Sequence, residues 1–156
     1  MSHYEEKIVT LLKRDKIKFE REKRFSDLRN GRFRFDFYVY LQGGPAVIEA
    51  NGIQHYTQVK KFQPTRRDFN AQRERDRRKI SYCLANQIPI YIIPYWEIEN
   101  LTCAADLFQE RFRAKTRWKN DVDFQNFKSK IWQKHQNLCI IKVEQTKKKL
   151  ILLYII

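Results

Sequence analysis

Two carboxylates thirteen residues apart, Asp36 and Glu49, are the groups in this chain best placed to do chemistry. Asp36 stands on the polar side of a run in which Phe33, Phe35, Phe37, Val39 and Leu41 alternate with Arg32, Arg34, Asp36, Tyr38 and Tyr40. Glu49 lies near the end of the next apolar run, Ala46 to Asn51, within register reach if the two segments pair as strands. Carboxylates held side by side repel unless a cation or a proton separates them. Hard oxygen ligands favour Mg2+ or Mn2+, ions that keep part of their water shell and accept phosphate oxygens. The same residues also fit a plainer arrangement, with Asp36 paired to Arg34 and Glu49 merely closing a strand.

The elements that must position these groups can be read from periodicity. Tyr4, Ile8, Leu11 and Leu12 recur at helical spacing over residues 2–15, and Ser2-x-x-Glu5 fits a capping box. Alternation over 17–25 predicts a first strand, and Asn30-Gly31 a turn. The run from Phe33 to Leu41 is a period-2 strand with one greasy face, and Gly43-Gly44-Pro45 turns it into the strand Ala46–Asn51. Residues 17–51 therefore read as a meander. Phe69, Ile80, Cys83 and Leu84 give residues 66–86 a helical pattern, which Gln87 links to a short buried strand, Ile88–Pro94. The order is αβββαβ. Leu101, Ala104, Ala105, Phe108 and Phe112, then Phe124, Phe127 and Ile131, predict a return to helix over 101–135. The closing run could form a hairpin around Lys147-Lys148-Lys149.

Composition narrows the class of partner. The 156 residues include 11 Phe and 8 Tyr, too many for a disordered chain. They suit one domain, with a core over about 2–96 and a basic helical extension and tail over 97–156. Thirty-two Lys and Arg against 18 Asp and Glu leave a formal charge of +14. Such an excess points to a polyanion, most commonly nucleic acid. No segment reaches the roughly 18 consecutive apolar residues of a membrane span. Cys83, Cys103 and Cys139 form no C-x-x-C pair, and the start of the chain lacks signal-peptide order. A cytoplasmic location follows as the expectation.

Several short motifs occur together and in order: Glu5 on the first helix, Asp36-Phe37-Tyr38, Ile48-Glu49, Gly52, Gln54-His55-Tyr56, Asp76, Lys79 and Ile93-Pro94-Tyr95. Over residues 2–96 the chain resembles the PD-(D/E)XK nuclease superfamily, and within it the small phage and mobile-element endonucleases similar to very-short-patch repair endonucleases. The resemblance implies an α/β restriction-endonuclease-like core, a mixed sheet flanked by helices. It also implies Mg2+-dependent hydrolysis of phosphodiester bonds, with Mn2+ able to substitute, in phage or mobile-element DNA processing of a junction-resolving, nicking or homing type in a bacterial host cell.

Carried onto this sequence, the resemblance makes Asp36 and Glu49 the metal ligands, helped by a backbone carbonyl just after Glu49. It brings Glu5 to the site from the first helix; the alternative is a capping role with Ser2. Gln54 and His55 follow the glycine turn, and His55 could serve as base, phosphate ligand or donor to a carboxylate. Asp76 shares the inward stripe of Phe69, Ile80 and Cys83, so it needs a partner, His55 or Arg73. Lys79 either stands in for the family's motif lysine or is a solvated helix charge. The motif position itself, two after Glu49, holds Asn51, which offers a neutral oxygen but neither a base nor a full charge.

Two basic stretches are expected to carry the nucleic-acid surface. The first holds Arg66, Arg67, Arg73, Arg77 and Arg78; the second holds Arg111, Arg113, Lys115, Arg117 and Lys119, with Phe112 and Trp118 between them. Such clusters bind phosphate without reading sequence, and exposed aromatics stack on unpaired bases. The expected partner is DNA, with a homodimer as a further option. A non-catalytic binding protein on the same fold and a ribonuclease are the competing readings.

Overall fold

The computed structural model describes residues 2–115, which lie in one compact unit. Arg117, Trp118, Lys119, the predicted helix through Phe124, Phe127 and Ile131, and the closing hairpin fall outside the described residues. Helix α1 spans His3–Arg14. Ser2 and Glu5 close a capping box at its start, and Glu6 there and Lys13 and Arg14 at its end complement the helix dipole. Ile8, Leu11 and Leu12 form its buried face.

Strands β1 (Phe19–Arg24), β2 (Arg34–Leu41) and β3 (Gly44–Asn51) make the antiparallel meander the sequence predicts. Leu41 pairs with Gly44 across the hairpin, where Gly44 takes a φ of +112° that side-chain-bearing residues avoid. Helix α2 (Arg66–Ala85) starts in a second capping box, Thr65 with Asp68, and returns the chain to β4 (Ile90–Pro94). β4 runs parallel to β3, giving a four-stranded mixed sheet in the order β1-β2-β3-β4. The short helix α3 (Tyr95–Ile98) follows at once. The molecule is mixed α/β, and no helix among the described residues is long and apolar enough to cross a membrane.

β3 and β4 are buried on both faces, which explains their near-continuous apolar runs. Ile48, Ala46, Tyr91 and Ile93 join α1 in one cluster with Phe37 and Val39. Glu49, of opposite parity to Ile48, faces α2 instead, whose own buried residues are Phe69, Asp76, Ile80 and Cys83.

Two expectations are corrected. The greasy face of β2 is not continuous: Phe37 lies in the α1 cluster, whereas Phe35 packs on Tyr82 and Lys79 of α2. The alternation breaks at Asp36, opposite Glu22, which has a φ of +52°. Residues 101–115 also form no α-helical extension. They make two 3-10 turns, Ala104–Phe108 and Glu110–Phe112. The buried residues Leu101, Ala104 and Leu107 recur every third position, the period of a 3-10 helix rather than an α-helix. Asp106 fastens the first turn by accepting from the N–H groups of Thr102 and Cys103. The chain then reaches β4, where the Ala114 N–H donates to the Ile90 carbonyl and covers part of that edge.

Candidate active site

The site lies where β2 and β3 part. Their ladder is regular from Leu41↔Gly44 to Phe37↔Ile48, and Asp36 and Glu49 are the next pair in register. There the side chains take over the hydrogen bonding. Glu49 Oε1 accepts from the Asp36 N–H at 3.2 Å, and Asp36 Oδ2 accepts from the Ala50 N–H at 2.8 Å. Each carboxylate thus satisfies a backbone donor of the other strand, so the strands splay without leaving buried N–H groups unpaired. The splay opens a cleft of about 730 Å³ whose lining includes Asp36, Glu49, Glu5, Gln54, His55 and the α2 residues Asp76 and Lys79.

Burial and mutual repulsion make this carboxylate pair unstable as two anions. Burial, then the Glu49 charge, push Asp36 up to about 7, against the pull of Lys79 and the Ala50 N–H. Burial also raises Glu49, partly offset by Lys79. Lys79 is not the solvated helix charge that was one of its two readings. Its side chain is 15% exposed and its Nζ sits 2.6 Å from Glu49 Oε2. Burial works against the ammonium, yet Glu49 and Asp36 outweigh it and hold Lys79 above the ordinary lysine range. With all three groups ionised the cluster keeps one negative charge in excess, which burial makes costly.

Asp76 is buried, as its helical stripe predicts, and its partner is His55: His55 Nδ1 lies 3.0 Å from Asp76 Oδ2. The other carboxylate oxygen accepts from Gln72 Nε2 at 2.8 Å. Gln54 is held by its carbonyl, which accepts from Gln63 Nε2, and its side chain folds back over Gly52. A Cβ on Gly52 would stand 2.6 Å from Gln54 Oε1, so any side chain there would displace the Gln54 amide from this position. Glu5 has both of its anticipated positions at once. It closes the capping box and pairs with Arg21 at 2.9 Å, while lining the cleft near enough to raise Asp36. Asn51 is buried beside the Tyr56 hydroxyl rather than on the cleft wall, and burial pushes that hydroxyl's pKa up.

The basic residues divide by location. Arg66 and Arg67 are exposed at the start of α2, and Arg66 and Arg73 lie over the Phe69 ring. Arg77 and Arg78 converge on Glu74, and Arg77 above all draws its carboxyl down to about 2. In the second stretch Arg111 pairs with buried Glu97 at 3.0 Å, and Arg113 and Lys115 with Glu110. Arg113 and Lys115 border a separate cavity with Leu84, Gln87 and Ile88, at the C-terminal end of α2. Phe112 is 4% exposed, so it packs in the core and cannot stack on a base. Sequence reasoning missed Gln72, Arg75, Arg32 and Arg34, which line the cleft. The i, i+3, i+4, i+7 spacing of Gln72, Arg75, Asp76 and Lys79 was the available signal for two of them.

No three His, Cys, Asp or Glu side chains converge as a metal-holding group among the described residues. The donor set nonetheless suits Mg2+, an ion bound through one or two carboxylates with water and substrate oxygens completing its shell. No family model, curated protein or solved structure matches the chain.

Proposed function

We propose that this protein is a metal-dependent DNA endonuclease on a restriction-endonuclease-like core, working in phage or mobile-element DNA processing. One observation carries the reading: a half-buried and a buried carboxylate, mutually repelling on splayed strands, open into a cleft, with a half-buried lysine ion-paired to the buried one. The motif lysine position holds Asn51, where the branch this chain resembles usually has Asp, and Lys79 supplies an ammonium to Glu49 from α2. Asp36 and Glu49 would hold Mg2+ or Mn2+, whose chemistry is to lower the pKa of a bound water and stabilise charge on the scissile phosphate.

The chain's own groups do the rest. Lys79 fixes the Glu49 carboxylate and brings positive charge to where phosphate negative charge grows. Asp76 accepts from His55 Nδ1–H and so sets the ring's orientation and tautomer in the cleft, where the imidazole can move a proton or hold a phosphate oxygen. The +14 charge supplies sequence-independent attraction to the backbone.

The test is a cleavage assay on linear, single-stranded and four-way-junction DNA with Mg2+ and with Mn2+, run beside a binding assay. The parent should cut at least one substrate. Asp36→Asn and Glu49→Gln should lose cleavage and keep binding. A parent that binds all three and cuts none overturns the enzyme in favour of a binding protein.

A further inference from the structure

α2 turns a polar stripe toward the cleft, and within it one side chain is committed at both ends. Gln72 Oε1 accepts from the Arg75 guanidinium at 2.6 Å, and Gln72 Nε2 donates to Asp76 Oδ1 at 2.8 Å. Only one of the two amide orientations satisfies both partners. Asp76 carries the order onward through its second oxygen to His55 Nδ1. Arg75 is exposed on the cleft and Asp76 is buried, so the contacts run from the cleft surface inward to the histidine.

The partners of Arg75 set it apart from Arg77 and Arg78. Arg77 and Arg78 spend their charge on Glu74. Arg75 bonds to a neutral amide, which orients the guanidinium and leaves its whole positive charge for an anion.

We propose that Gln72 is a positioning residue for His55, and that Arg75 is the backbone-phosphate contact to which it ties the ring. A phosphate held by Arg75 is thereby placed at a fixed offset from His55, through Gln72 and Asp76. The substrate side rests on the nuclease reading; the ordering of His55 by Gln72 stands apart from it.

Two variants test this in the full chain. In Gln72→Leu the helix keeps a strong helix former while Asp76 loses a donor. Nitrogen-15 NMR of the His55 ring at alkaline pH should show a shift from the Nδ1–H tautomer toward Nε2–H. With a cleaved DNA substrate, kcat should fall roughly 10-fold with KM within about twofold, as for a misplaced catalytic group. Arg75→Gln should instead weaken binding of a short DNA duplex roughly 5-fold and lower the salt slope by about 1, as for one lost phosphate contact. An unchanged His55 tautomer in Gln72→Leu overturns the positioning role, whether or not the parent cleaves. An unchanged affinity and slope in Arg75→Gln overturns the phosphate contact. A parent that binds without cutting overturns the nuclease reading alone, and the ring signal still decides Gln72.

Discussion

Asp36→Asn should make the protein more stable when no divalent cation is present. Asp36 titrates near 7 in the folded chain against an ordinary value of 3.8, because it is buried beside Glu49. Each unit corresponds to about 1.4 kcal/mol, so ionising Asp36 in the fold costs up to about 4 kcal/mol, and about 2 if Glu49 shares the proton. The sign follows from proton counts. Between roughly pH 4 and 7 the folded chain binds more protons than the unfolded one, so stability falls as pH rises through that window and stays low above it. Asparagine removes the titration but keeps an oxygen to accept from the Ala50 N–H, and its amide can donate to Glu49. Urea unfolding in EDTA should therefore show the variant ahead by about 2–4 kcal/mol near pH 8, with the gap closing toward pH 4. Added Mg2+ should stabilise the parent by mass action and leave the variant unmoved. A variant no more stable than the parent near pH 8, or a gap independent of pH, would refute the claim that the carboxylate pair is electrostatically strained.

Three other outcomes are expected. Lys79→Met should destabilise the protein by about 3 kcal/mol at neutral pH, and by less in acid, because it strands Glu49 without its cation; denaturant melts at two pH values check this. Asn51→Asp places a carboxylate beside the Tyr56 hydroxyl and away from the cleft wall, so it should cost about 1–3 kcal/mol of stability while Mg2+ affinity by calorimetry stays within about twofold. Arg113→Ala, beside the C-terminal end of α2 and outside the cleft lining, should leave DNA affinity and its salt slope at parental values in a filter-binding titration across salt.

The sequence by itself determined the element order and most of the local starts and stops. Capping signals at Ser2 and Gly43-Gly44 in the hairpin act over a few residues, so they can be read without knowing the fold. The same holds for the apolar spacing that put Asp76 on the buried stripe of α2. Charge and composition were legible for the same reason, being sums over the chain. What the sequence could not supply was which side of a contact each polar group would find. Lys79 reads as a solvated helix charge until α2 is laid on β3, because its partner Glu49 is thirty residues away. That Arg111 and Arg113 meet Glu97 and Glu110 is equally invisible in the sequence, and Phe112 fits stacking and core packing alike until the turn at 110–112 buries it. The break in β2 at Asp36, the event that opens the cleft, has no local signature either. It arises because Phe35 and Phe37 are claimed by helices on opposite faces of the sheet, and that competition exists only once both helices have packed.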